Sequence, residues 1–483
     1  MKYEATSESL KQYVVPEWFR DAKFGIFMHW GIYSVPAYGD EWYARHMHTG
    51  DVTWAKTQGF DQDKPSVKDY HAQIYGKDMG YKEFIDLWKI DKYAPDKWAE
   101  LFEAAGAKYV MPTGIHHDSF ALYASKLTPW NSVNKGLGTD NFGWKVTDGK
   151  GRDLIGELQI ACKKRGMYFG ISNHVAENTD WMPHVEGTDT YIMRHDDDPY
   201  QLRLLYGSDF TDEECAERWL ALTNEIIDLY HPDMTYFDMA IEKEKFNKVK
   251  REFAAHYYNS ALEYNKEGVA FFYKAKIFED GEAILDIERG QLKDIRQMPW
   301  QTDTSISAKS WGYVEDDVYR DDKYIITSLM DVISKNGNLL LNIPPKADGT
   351  IPKEVEDILL KVGAWLKKNG EAVYATRPYK VFGEGPTVPG SYYSDNGLVF
   401  CADDIRFTQS KDGSVLFAAV LGKPEGKEIA IHCLEKDLAV KKITLLETGE
   451  DVCYKWKEDV LKITLSAQQY DNISGPFVMK FWL

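Results

Sequence analysis

The sequence predicts an α/β fold: an irregular, TIM-type (β/α)8-like barrel followed by a C-terminal β-sandwich. Three observations carry this. From Lys23 to about Ala372, short apolar runs alternate with longer amphipathic ones, as parallel strands joined by helices do. No glycine-rich dinucleotide loop follows the first apolar run, which argues against a doubly wound sheet. Beyond Arg377-Pro378 the texture changes to short strands broken by Gly, Asp and Lys turns. The expected bounds are residues 1–375 for the barrel and 376–483 for the sandwich.

In chain order, apolar runs predict strands over residues 24–29, 108–113, 167–172, 234–238, 269–274, 284–288 and 338–343. Amphipathic stretches between them predict helices over 95–105, 153–165, 212–230, 245–264, 324–334 and 354–368. Gly166 stops the second of these, and Thr211 with Glu214 forms a capping box that starts the third. In the C-terminal part, strands are expected over 415–421, 428–432, 443–446 and 460–465. Residues 383–390, rich in Gly and Pro, read as the connector.

Composition excludes several functions. The 483 residues carry 58 Lys plus Arg against 76 Asp plus Glu, a net charge of −18 that repels a nucleic-acid backbone, so no nucleic-acid partner is expected. Nowhere do about 18 uncharged apolar residues run together, and no membrane span is expected. Cys162, Cys215, Cys401, Cys433 and Cys453 are widely spaced without a CxxC pair, which argues against a disulfide scaffold or a structural zinc site. Residues 1–17 lack the apolar core of a signal peptide.

In a barrel of this kind the reactive groups stand at the C-terminal ends of the strands. The apolar runs end in His29-Trp30, His116-His117-Asp118, Asn173-His174, Asp238 and Glu288. Any one of these has a structural reading as a cap or a satisfied histidine, but together they converge on one cleft. Histidines with carboxylates are also ligand types for zinc or iron. Against a metal, His116 and His117 would point apart in an extended chain, and no H-E-x-x-H spacing is present. No G-x-S-x-G elbow supports a serine hydrolase. Two carboxyl groups, several histidines and the rings of Trp30, Trp42, Tyr43 and Tyr236 suit a sugar pocket, because hydroxyls need donors and acceptors while a sugar's C–H face packs on aromatic planes. Glycoside cleavage asks for one carboxyl group as acid and one as nucleophile or base.

Ala22-Lys-Phe-Gly-Ile-Phe-Met-His-Trp-Gly31, Glu41-Trp42-Tyr43, His116-His117-Asp118, Tyr236-Phe237-Asp238, Ser310-Trp-Gly-Tyr313 and Ser334-Lys-Asn-Gly-Asn-Leu-Leu-Leu-Asn342 together resemble glycoside hydrolase family 29, the α-L-fucosidases. The resemblance runs from about residue 18 to 378. It implies retaining, exo-acting removal of terminal α-linked L-fucose from fucosylated oligosaccharides or glycoconjugates, with no cofactor and no metal. By resemblance Asp238 is the nucleophile and Glu288 the general acid/base, with Glu282 and Asp286 as replacement candidates. His29, Glu41, Trp42, His116, His117 and His174 carry over as sugar-binding residues, and Tyr236 stands where relatives often have Trp. Lys274 or Lys276 takes the place of a basic sugar contact that is Arg in many relatives. The family's common Lys-His-His-Asp-Gly-Phe reads Ile115-His-His-Asp-Ser-Phe120, and Asn173 replaces a frequent acidic residue. Where a leader has been removed, the resemblance implies a periplasmic, secreted or lysosomal setting. The alternatives are a non-catalytic sugar-binding protein, which would have lost Asp238 or Glu288, and a metal-dependent barrel enzyme.

Overall fold

The computed structural model describes residues 2–135, 151–183, 198–436 and 438–483. Eight parallel strands close a barrel in sequence order: β1 (Phe24–Met28), β2 (Tyr109–Ile115), β3 (Tyr168–Asn173), β4 (Met234–Phe237), β5 (Ala270–Tyr273), β6 (Ile284–Glu288), β7 (Trp300–Ser305) and β8 (Gly337–Ile343). Closure is by β8 pairing with β1, Phe24 opposite Leu339 through Met28 opposite Ile343. Strands of a parallel barrel are covered on both faces, which is why β1 and β2 read as unbroken apolar runs. The glycine in Lys-Phe-Gly has a steric reason: a Cβ at Gly25 would lie 2.3 Å from the Tyr109 ring.

Helices cover most of the barrel. The helix Asp212–Tyr230 opens with the expected capping box at Thr211 and Glu214. Its buried Trp219 packs on Phe237 of β4 at 4.9 Å and on Phe253 of the helix Val249–Tyr264 at 5.8 Å, anchoring the strand that leads to Asp238. Residues 274–283 and 289–299, which flank β6, contain no helix, so the barrel is irregular on that side.

Strand β7 escaped the periodicity reading because Trp-Gln-Thr-Asp-Thr-Ser is polar, yet all six residues are buried. Partners satisfy it: Gln301 donates to Asp286 at 2.8 Å, Thr302 to the Ile287 carbonyl at 2.7 Å and Ser305 to the Ser310 carbonyl at 3.1 Å, while Asp303 accepts from Tyr236 at 2.9 Å.

After the helix Lys353–Asn369 the chain enters two antiparallel sheets. The strands are β9 (Arg377–Glu384), β10 (Ile405–Gln409), β11 (Val415–Val420), β12 (Glu428–Ile431), β13 (Lys442–Leu445), β14 (Cys453–Lys457), β15 (Val460–Thr464) and β16 (Phe477–Trp482). One sheet has the order β13-β16-β11-β10-β9 and the other β12-β15-β14. Their shared core holds Phe407, Leu416, Ile431, Leu461 and Phe481. Strand β11 is buried on both faces because Val415, Phe417 and Ala419 join the barrel's apolar cluster while Leu416, Ala418 and Val420 join the sandwich core.

The connector reading of 383–390 needs correction. Gly383 and Glu384 end β9, and Gly383 pairs with Arg406 of β10, where a Cβ would lie 1.9 Å from the Ile405 carbonyl oxygen. This glycine permits close strand approach. Residues 390–395 then return to the barrel mouth, where Gln291 N donates to Gly390 O at 2.9 Å and Ser394 N to Arg289 O at 2.7 Å.

Candidate active site

A pocket of about 380 Å³ opens at the C-terminal ends of the barrel strands. It gathers His29, Glu41, Trp42, His116, His117, His174, Tyr236, Asp238, Lys274 and Glu288, every site residue expected from the sequence. Asp238, directly after β4, accepts from Lys274 Nζ at 3.0 Å through Oδ1 and from His117 Nε2 at 3.1 Å through Oδ2, with His174 Nδ1 at 3.6 Å. Lys274, directly after β5, also donates to Glu288 Oε2 at 2.5 Å and lies 3.6 Å from Asp303. One buried ammonium thus joins carboxyl groups from the ends of β4 and β6 and from β7.

The electrostatics separate Asp238 from Glu288. Burial works against ionisation of Asp238, yet Lys274 and the facing His117 and His174 hold its carboxyl well below the usual carboxylate range. Burial, with the charges of Asp238 and Asp303 against that of Lys274, pushes Glu288 up to about 7. Burial lowers His29, His116 and His174, so these rings are neutral near neutral pH.

Neutral rings suit hydroxyl recognition, and His29 shows how one is oriented. Asn342 Nδ2 donates to Ser305 Oγ at 3.0 Å and to the Trp311 carbonyl at 2.7 Å, so its Oδ1 faces His29 Nδ1 at 2.9 Å as acceptor. His29 therefore carries its proton on Nδ1 and presents Nε2 as an acceptor. Glu41 is held by the Ser-Trp-Gly-Tyr loop, accepting from Ser310 Oγ at 2.9 Å and Trp311 N at 2.8 Å. Trp42 stacks on His117 with ring centroids 3.8 Å apart.

His116 and His117 do not diverge as an extended chain would make them. β2 ends at Ile115 and the chain turns, with Ser119 N donating to His116 O at 2.8 Å and the two rings 4.5 Å apart. Ser119 takes a φ of +56°, and its hydroxyl accepts from Asn178 Nδ2 at 2.8 Å in partial compensation. Trp30 and Tyr43 are core residues: Trp30 packs among Trp88, Tyr93 and Trp98, and Tyr43 bonds His71 at 3.0 Å. Lys276 is exposed, Glu282 is buried 3.8 Å from Arg251, and Asp286 bonds Gln301 inside the barrel, so none of them stands beside Asp238.

Sequence reasoning passed over Asp303, Asn342, Arg289 and Tyr393. Asp303 and Asn342 are polar residues inside strands, where hydrophobic periodicity carries no signal. Arg289 was masked by its catalytic-looking neighbour, and Tyr393 reaches Glu288 Oε2 at 3.1 Å from a segment beyond the barrel. His29, His116 and His174, and likewise His117, His174 and Asp238, have ligand atoms within 4.8 Å of one another. The Lys274 ammonium already occupies the cationic position beside Asp238, which disfavours a metal ion there.

A family model described as Alpha-L-fucosidase matches residues 1–371, and one described as Alpha-L-fucosidase C-terminal domain matches residues 400–481. The chain is 30% identical to the tissue alpha-L-fucosidase of Bos taurus over 405 residues, 83% of this chain and 77% of that protein. To the tissue alpha-L-fucosidase of Homo sapiens it is 29% identical over 473 residues, 95% of this chain and 86% of the other. The crystal structure of Thermotoga maritima alpha-fucosidase in complex with fucose superposes with a TM-score of 0.74 at 30% identity, covering 99% of this chain and 100% of that one. Its complex with a mechanism-based inhibitor gives a TM-score of 0.75, also at 30% identity, over 100% of both chains. The barrel, its C-terminal sheets and these matches agree: the chain belongs to the glycoside hydrolase family 29 α-L-fucosidases.

Proposed function

We propose that the enzyme removes terminal α-linked L-fucose from fucosylated oligosaccharides with retention of configuration, in two displacements. Asp238 attacks the anomeric carbon while Glu288 protonates the departing glycosidic oxygen, giving a fucosyl ester on Asp238 and a free alcohol. Glu288, now ionised, takes a proton from water as its oxygen attacks the same carbon, releasing fucose and restoring both carboxyl groups.

The observation that carries this reading is the Lys274 bridge. Its bonds of 3.0 Å to Asp238 and 2.5 Å to Glu288 bound the separation of those two oxygens at their total, 5.5 Å. Retaining enzymes hold their carboxyl groups about 5 to 5.5 Å apart, against about 6.5 to 9.5 Å where water must fit between. The opposed pKa directions support the same roles, an ionised nucleophile and a protonated acid. Neutral His29, His116 and His174 suit the sugar hydroxyls, and Trp42 and Tyr236 the apolar faces. The fucose bound in the Thermotoga maritima relative supports the choice of sugar.

NMR of the first product from an aryl α-L-fucoside tests the mechanism: α-L-fucose is expected before mutarotation. Initial β-anomer would overturn retention. Asp238→Gly is expected to abolish turnover, and a 2-fluorofucosyl label is expected on Asp238 of the wild type.

A further inference from the structure

We infer that Arg289, with Trp54, Trp311 and Tyr393, forms the subsite for the leaving saccharide, and that the guanidinium binds a pair of oxygen acceptors on that sugar. This rests on the fucosidase reading and deepens it.

Arg289 directly follows Glu288 and lines the same pocket. The residue is 1% exposed, yet Nε, Nη1 and Nη2 meet no hydrogen-bond acceptor among the described residues. A buried guanidinium without hydrogen bonds is costly, and its planar donor fork matches two oxygens side by side. Among the described residues the carboxylate within 4 Å of it, Asp395 at 3.6 Å, is shared: it pairs with Arg320 at 3.0 Å and accepts from Thr304 Oγ1 at 2.5 Å, while Glu288 and Glu41 act on the guanidinium from farther away. Residual positive charge and free donors remain on Arg289.

The surroundings suit a sugar ring. The guanidinium carbon lies 4.5 Å from the Trp311 ring centroid and 5.4 Å from that of Trp54, so aromatic faces fix its plane. Tyr393, 44% exposed, stands 6.0 Å from Trp54 and bonds the Glu288 carboxyl. The group bonded to the departing oxygen must lie where Glu288 can protonate that oxygen, and Arg289 is the next residue. The position is built into the backbone: Arg289 has φ +45°, its carbonyl accepts from Ser394 N at 2.7 Å and Asp395 N at 3.1 Å, and Tyr393 N donates to Glu288 O at 3.1 Å. Vicinal hydroxyls and a carboxylate both present the required oxygen pair.

The test compares fucosyl disaccharides with phenyl α-L-fucoside, whose leaving group lacks such a pair, in the wild type, Arg289→Met and Arg289→Lys. Met keeps bulk and Lys keeps charge, and neither keeps the fork. The ratio of kcat/KM for the disaccharide over the aryl fucoside is expected to fall by about tenfold or more in both variants, the effect of losing two charge-assisted hydrogen bonds. A uronic acid leaving group should respond more steeply than a neutral one if charge adds to the fork; equal responses assign recognition to the hydroxyl pair. L-fucose inhibition reports separately on the fucose pocket. An unchanged ratio, or an equal fall in both substrates together with lost fucose inhibition, overturns the subsite. Wild-type protein inactive on every fucoside overturns the enzymatic reading and the subsite together, whereas an active wild type with an unchanged ratio in the variants overturns the subsite alone.

Discussion

Lys274 sits among Asp238, Glu288 and Asp303, so its charge works against burial in favouring the ionised forms of Asp238 and Glu288. The proposed mechanism needs Asp238 ionised and Glu288 protonated. The kcat/KM profile is expected to fall as pH rises through about 7, where Glu288 loses its proton, and to stay flat on the acid side well below the usual carboxylate range. Lys274→Met removes the cation that favours both ionised forms, so the acid limb should move up into the measurable range and kcat/KM should drop. An acid limb that stays put would show that something other than Lys274 depresses Asp238. His29→Ala and His117→Ala each remove a polar partner inside a buried site, a loss of about 1 to 3 kcal/mol, and should lower kcat/KM by about tenfold or more. Wild-type kinetics in both variants would assign these histidines to structure alone. Dialysis against EDTA is expected to leave kcat unchanged; loss of activity restored by added zinc would contradict a metal-free mechanism and place an ion among the pocket histidines.

Strands carry the site, and Gly25 marks a close approach of β1 to β2. Gly25→Ala would drive a methyl group against the Tyr109 ring, 2.3 Å from an ideal Cβ, and is expected to destabilise the barrel by about 1 to 3 kcal/mol, read as a lower urea midpoint at unchanged slope. The sequence displayed seven barrel strands because their apolar runs are continuous, and it displayed the proposed catalytic pair because Asp238 and Glu288 end such runs. It concealed β7, whose burial is satisfied by hydrogen bonds that only the closed barrel creates, and with β7 it concealed Asp303 beneath Lys274. In the sandwich, β9 and β10 were hidden by glycines and charges: Gly383 serves close strand approach, and the buried Arg406 is paired with Asp331 at 2.6 Å. Local pattern reports what a residue prefers, and these residues take their environment from partners far along the chain.

At the scale of the molecule, β11 has no solvent face: one side completes the sandwich core and the other the barrel's apolar cluster. Arg406, Asp331 and Lys335 add a buried ionic network across the same junction, with Lys335 2.7 Å from Asp331. Calorimetry is therefore expected to record one unfolding transition for barrel and sandwich together; two resolved transitions would show that the junction is weaker than its burial implies. The returning segment 390–395 has a consequence for biosynthesis. A ribosome has delivered every barrel strand once Ile343 is made, but Tyr393, which bonds the backbone and the carboxyl of Glu288, and Asp395, which bonds the backbone of Arg289, come later. Until that later segment folds back across the mouth, Glu288 lacks both hydrogen bonds that Tyr393 makes to it, so the last strand of the barrel to be made does not complete the pocket.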